Sequence, residues 1–169
     1  MKALKKIKSL DKITSILILV VIGLGLYFIW LNFYNGSAIK LYFARNDGMG
    51  LQVEKRPVKG DSKEEAIKAL IAGPENKNLA PTLPEGVKLL SLKVRDDGLC
   101  LVNFNESLVE NHWGGSTGEL LTVYSIVNTL TQFPDVDRVQ ILIEGRKLDT
   151  LAGHLILNES LKTNEKIVK

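Results

Sequence analysis

The sequence predicts an α+β fold: two helices laid over one face of a mixed sheet, preceded by a single N-terminal transmembrane helix. Three observations carry this. Residues 13–34 form a long apolar run without a charged side chain. Short alternating segments bounded by Gly, Asn, Asp and Pro then read as strands. Two segments of helical period, each opened by Ser with Glu three residues later, read as helices.

The first 12 residues carry Lys2, Lys5, Lys6, Lys8 and Lys12 against Asp11, a local charge of +4. Of the chain's 22 basic and 19 acidic residues this leaves 17 and 18, so residues 13–169 sum to −1. The sequence pI of 8.9 therefore belongs to the tail. The rest lacks a basic stripe interleaved with aromatics, which excludes a nucleic-acid-binding reading.

As a helix, residues 13–34 would be roughly 33 Å long, enough for a hydrocarbon core of about 30 Å. Tyr27, Trp30, Phe33 and Tyr34 fall where an interfacial aromatic belt belongs. The lysine cluster before the run predicts a cytoplasmic tail at 1–12, an anchor at 13–34 and an extracytoplasmic remainder. Gly36-Ser37-Ala38 offers a cleavage site, but the run exceeds the roughly 7–15 residues of a signal peptide's apolar region, so an uncleaved signal anchor is preferred. No cysteine follows the run to accept a lipid.

The lone Cys100 sits in an alternating segment, where it reads as a packing residue, with no partner for a disulfide. The triplets starting at Asn105 and Asn158 match glycosylation acceptors, a pattern too common to carry weight.

After the polar break at residues 35–37, residues 39–43 read as a first strand, 46–48 as a turn and 51–58 as a returning strand. Pro57 there marks a sheet edge. Ser62 and Glu65 form a capping box for a helix with Ala66, Ile67, Ala69, Leu70 and Ile71 on its apolar face, stopped by Gly73-Pro74. A Pro-rich loop runs to Gly86. Residues 87–95 and 99–105 flank Asp97-Gly98 as a hairpin. Ser116 and Glu119 suggest a second capping box, before a helix bearing Leu120, Leu121, Val123, Tyr124, Ile126, Val127, Leu130 and Phe133. Residues 138–144 read as another strand turned at Gly145, residues 148–157 as a short strand or irregular packing, and residues 158–169 as a polar, frayed tail.

The stretch Gly118-Glu-Leu-Leu-Thr-Val-Tyr-Ser-Ile-Val-Asn-Thr-Leu-Thr-Gln-Phe-Pro, then Val139-Gln-Ile-Leu-Ile-Glu-Gly, then Leu151-Ala-Gly-His, resembles the second half of a GerMN domain. Leu41-Tyr-Phe, the Glu65-Ala66 helix leading into Leu70-Ile-Ala-Gly-Pro74, and Leu83-Pro-Glu-Gly86 agree with the first half. The resemblance covers about residues 39–157. It implies a small α+β domain similar to ring-building motifs, without catalytic activity. It also implies a place outside the cytoplasmic membrane, supporting the channel complex between mother cell and forespore. The family's namesake resembles a lipoprotein with two such domains, whereas one domain and a transmembrane anchor are read here. A relative serving elsewhere in the envelope is therefore the alternative to a sporulation role.

Chemistry is sparse. His112, His154 and Cys100 make no metal-ligand set, and no cofactor is expected. His154 is expected to satisfy a backbone carbonyl in a turn. Gly114-Gly-Ser-Thr-Gly118 before a helix could face an anion, but it lacks a Walker lysine, and a Ser116 cap is the preferred reading. Ser116 with His112 has no nucleophile-elbow context. The carboxylates Asp47, Asp96, Asp97 and Asp149 fall at turns. Trp113 is either a lid over the core, the commoner fate, or an exposed partner anchor.

His112, Trp113, Gly114, Gly115, Ser116 and Thr117 are thus the candidate partner or ligand loop. The expected function is that of a membrane-held interaction or scaffolding module, with envelope or sporulation-complex proteins as partners and a homo-oligomer left open. The alternative is a peptidoglycan-acting enzyme or small-ligand sensor using the loop around Ser116.

Overall fold

The computed structural model describes residues 12–34, 38–57 and 62–169, in two compact units, Met1–Gly36 and Ser37–Lys169. The lysines at 2, 5, 6 and 8, the break at 35–37 and residues 58–61 lie outside the described residues.

In the first unit, helix α1 runs Lys12–Tyr34. Its side chains are described for residues 14–28, and all of them are exposed. That stretch comes to about 22 Å of helix, short of a hydrocarbon core of about 30 Å. Among the described residues no helix is long and apolar enough to cross a membrane. The expected span extends past the described side chains at both ends.

Among its described residues the second unit holds two sheets where one was expected. Strand β1 (Ala38–Arg45) pairs antiparallel with β2 (Leu51–Pro57) on one side. On its other side it meets β3 (Leu79–Ala80) over only Ala44 and Arg45. The rest of that edge is closed by side chains of helix α4 (Ser116–Leu130) and the turn after it. The Gln132 amide accepts from the Lys40 N–H and donates to the Lys40 C=O, both at 2.7 Å, as a neighbouring strand would. Thr129 Oγ1 accepts the Tyr42 N–H at 3.4 Å. With the edge so occupied, no later strand can extend this sheet.

The second sheet has the order β4 (Leu89–Val94), β5 (Leu99–Phe104), β6 (Arg138–Ile143), β7 (Arg146–Lys147), with only β5 and β6 parallel. The β4–β5 turn closes as expected at Asp97-Gly98: Arg95 exchanges backbone bonds with Gly98 and Leu99, and Gly98 adopts φ +75°.

Helix α2 (Lys63–Ile71) starts where Ser62 Oγ accepts the Glu65 N–H at 3.3 Å. The Glu65 carboxylate turns to Lys68 at 2.7 Å. Ala66, Ile67 and Leu70 are buried, and Gly73 at φ +86° ends the helix. Helix α4 packs against β1 and β6, and so lies between the two sheets. This placement explains why Thr122, Ser125, Asn128 and Thr129 are buried along with Leu121, Val123, Ile126, Val127 and Leu130. A single apolar stripe serves a helix covered on one side only. Leu120 and Tyr124 stay half-buried. Burying side chains such as Leu130 or Ile126 contributes about 1.5–3 kcal/mol each.

Three small elements carry too few residues for a periodic signal: β3, β7 and the one-turn helix α3 (Ser107–Glu110). The C-terminal segment is not frayed. Leu161 exchanges two 2.8 Å backbone bonds with Val139, the Asn164 N–H and C=O bond the Asn128 amide, and the Lys169 N–H donates to the Leu51 carbonyl at 2.9 Å. Backbone groups hold it down, and these are invisible in a polar sequence.

Candidate functional site

The candidate loop sits at the start of α4, and Gly115 sets its geometry. Gly115 adopts φ +78° and is the cap residue itself, so Ser116 is already the first helical residue and bonds to no backbone N–H as a cap. The expected Ser116–Glu119 capping box therefore does not form. Gly115 supplies the turn and its carbonyl accepts the Glu119 N–H at 3.0 Å. Ser116 and Thr117 are exposed.

The Glu119 side chain turns inward and is wholly buried. Its Oε1 accepts the N–H groups of Leu151 at 2.7 Å and Ala152 at 2.9 Å, and its Oε2 that of His154 at 2.8 Å. Gly153, at φ +92°, turns the backbone so that these donors converge. Burial pushes the carboxyl up, but the N–H groups outweigh it and hold Glu119 below the usual carboxylate range. The Leu-Ala-Gly-His segment is thus a backbone nest around a buried anion. His154 contributes its N–H; its exposed imidazole makes no hydrogen bond among the described residues, contrary to the expected carbonyl contact.

His112 is clasped from both sides. Its Nδ1 accepts the Gly114 N–H at 3.0 Å, which leaves Nε2–H to donate to Thr122 Oγ1 at 3.1 Å. The Thr122 hydroxyl passes the chain on to the Thr82 carbonyl at 2.7 Å. Desolvation lowers the His112 pKa, against the nearby Glu119 charge and the Gly118 carbonyl. Both ring nitrogens are committed, and His112 makes no hydrogen bond to Ser116 among the described residues.

Trp113 follows directly, 59% exposed, its ring centroid 5.7 Å from that of His112 at a tilt of 53°. The lid reading is corrected: two clasped neighbours, His112 and Gly114, hold the backbone here and turn the indole outward. Trp113, Gly115, Ser116 and Thr117 are exposed while His112 and Gly114 are half-buried, and Trp113 is the loop's apolar feature.

The remaining candidates disperse. Cys100 is buried on β5, where desolvation pushes its thiol up to about 12. Asp97 is tied to Arg138 at 2.8 Å and Asp47 to Arg45 at 2.6 Å. Asp96 and Asp97 line an open recess of about 550 Å³ with Asp135 and Asp137, and Asp135 there pairs with Lys63 at 2.9 Å. Among the described residues no group of three or more His, Cys, Asp or Glu side chains could hold a metal ion. Sequence reading missed the inward role of Glu119, because nothing local links it to N–H groups more than 30 positions away.

Two sheets joined through one buried helix, with a carboxylate locked in a backbone nest, make this a mixed α+β domain. The chain belongs to the Germane family, described as sporulation and spore germination, whose model matches residues 40–149. It is similar to the tandem GerMN domains of the sporulation protein GerM from Bacillus subtilis, at 22% identity and a TM-score of 0.62, covering 74% of this chain and 45% of that one. The first GerMN domain of the same protein gives 20% identity and a TM-score of 0.61, covering 76% and 98%. A candidate lipoprotein from Clostridium perfringens gives 29% identity and a TM-score of 0.55, covering 77% and 90%. No protein with a curated description matches the chain.

Proposed function

We propose that this chain is a membrane-anchored, extracytoplasmic interaction module that joins an envelope complex serving sporulation or spore germination, and that it is not an enzyme. The observation that carries the reading is Trp113. A large indole stands 59% exposed on a backbone fixed by the His112 clasp and by Gly114 and Gly115. Exposed aromatics on pre-organised backbone lose little freedom on binding, and Trp is enriched among residues that dominate interface energies.

The anchor reading is supported by the 23-residue helix α1, about 34 Å long at 1.5 Å per residue. The lysine-rich residues 1–12 orient it with the domain outside. The C. perfringens candidate lipoprotein, 29% identical, belongs by description to a membrane-attached class and is consistent with that placement.

A photo-reactive amino acid placed at position 113 of the full chain, activated in native membranes of sporulating cells, tests the reading. Adducts to envelope or sporulation-complex proteins are expected. Adducts to wall fragments alone would replace it with a wall-acting or wall-sensing role.

A further inference from the structure

The candidate loop ends at Thr117, and there it adjoins an open recess of about 260 Å³. Leu120, Leu121 and Ile167 give the recess an apolar wall, Met49 stands across from them, and Lys166 and Lys169 supply the charge in its lining. The floor is firm. Leu121 packs with Ala44 and Leu51 in a buried cluster that Ile167 joins. Gly50 lies so close beneath that a Cβ on it would sit 2.7 Å from the Ile167 carbonyl oxygen.

Met49 is 68% exposed, yet its backbone is fixed in the turn between β1 and β2. Its N–H donates to the Asp47 carboxylate at 2.9 Å, and the Arg45 N–H closes the turn on the Gly50 carbonyl at 3.0 Å. An unbranched, polarizable thioether on such a turn adapts to whatever is laid against it.

Size decides what the recess takes. Small-molecule sites run from about 300 to 1,000 Å³, and this one falls below that range. An apolar cavity of about 150 Å³ holds a benzene ring, so there is room here for one large side chain. Charge decides that side chain's neighbour. Lys166 and Lys169 are exposed and make no ion pair among the described residues, and no carboxylate lines the recess with them. Two like charges at one mouth are complementary to a carboxylate brought between them.

We propose that this recess is a second anchor point for the partner protein that meets Trp113. It takes one large apolar side chain of that partner, with an Asp or Glu beside it pairing with Lys166 and Lys169. Trp113 and Thr117 are four positions apart, at most about 14 Å of chain, so one short partner segment reaches both. This extends the interaction reading and rests on it, adding the chemistry of the partner.

The test places a photo-reactive amino acid at position 49 of the full chain, and in a parallel chain at 113, in native membranes of sporulating cells. Adducts are sequenced by mass spectrometry. The same partner is expected at both positions, and at 49 a peptide with a large apolar residue next to Asp or Glu. Lys166→Glu with Lys169→Glu should lower the position-49 yield roughly tenfold, whereas Lys166→Arg with Lys169→Arg should keep it. Thermal unfolding of both double variants checks that they are equally folded, and the adduct sequence depends on neither. Protein adducts at 113 but none at 49 would overturn the inference and leave the interaction reading standing. So would a position-49 peptide lacking the carboxylate, or a lipid or wall fragment there. No protein adduct at either position would overturn both.

Discussion

The carboxylate of Glu119 and the backbone N–H of His154 lie 2.8 Å apart, though 35 residues separate them in the chain. Together with the bonds from Leu151 and Ala152, this contact ties the irregular segment after β7 to the first turn of α4, beside the Trp113 loop. A charged acceptor facing three donors is worth more than a neutral one. Replacing Glu119 by Gln sets an amide N–H₂ among N–H groups, and should cost about 2–4 kcal/mol.

The same contact has a pH signature. Glu119 is held below its ordinary 4.5, so its stabilisation is full above that value and is lost as pH falls through the lower folded pKa. Denaturant unfolding of the full chain across pH 3–7 should show the gap between wild type and Glu119→Gln closing only at the acid end. A gap independent of pH would mean that the ionised carboxylate does not bind the nest.

His112 should titrate below its ordinary 6.5. Its depressed pKa means that the neutral ring stabilises the fold above the unfolded value, and that this contribution is lost as pH falls towards the folded one. Protonation turns Nδ1 into a donor facing the Gly114 N–H at 3.0 Å, so the loop must rearrange. Trp113 fluorescence, read against a Trp113→Phe chain to remove the Trp30 background, should change with a midpoint under 6.5. A midpoint above that value contradicts the clasp.

Arg56 joins β2 to the end of α2. Its guanidinium pairs with Glu54, donates to the Gly73 carbonyl at 3.0 Å and the Ala69 carbonyl at 3.4 Å, and lies 5.9 Å from the Phe43 ring centroid. Glu54 in turn accepts the N–H groups of Glu75 and Asn76. Arg56→Ala removes the charge partner of Glu54, which keeps its two N–H donors, and leaves the Ala69 and Gly73 carbonyls without the guanidinium. It should destabilise by about 2–3 kcal/mol in urea unfolding. A double change with Glu54→Gln should cost less than the sum of the singles.

Gly98 and Gly114 share φ +75° but not their surroundings. A Cβ on Gly98 would meet the Asp137 carboxylate at 2.3 Å, whereas one on Gly114 meets nothing within 4 Å. Gly114→Ala should therefore cost only the backbone strain, about 1–2 kcal/mol. Gly98→Ala adds overpacking of about 1–3 kcal/mol. Equal losses in a thermal scan would show that the Asp137 contact yields freely.

Period and punctuation made much of this fold readable. Ser62, Gly73 and the Asp97-Gly98 turn act on neighbours a few residues away, so their sequence context is their structural context. The division into two sheets was not readable, because it depends on Gln132 and Thr129 reaching the edge of β1, about 90 positions earlier in the chain. The same limit hid Glu119. Its spacing from Ser116 suits a cap, and only the positive φ of Gly115 moves the helix start by one residue and frees the carboxylate to turn inward. Trp113 was legible as a choice between lid and anchor. The clasp at His112 decides it, through Thr122 and Thr82, partners lying 10 positions after and 30 before it.

The most direct test of the interaction reading is one paired measurement on Trp113→Ala. Unfolding stability and the yield of envelope proteins cross-linked in native sporulating membranes are read on the same chain. An exposed indole contributes little to the fold, so stability should stay within about 0.5 kcal/mol of wild type while the cross-linked partners are lost. Unchanged partners on a chain of unchanged stability would contradict the account.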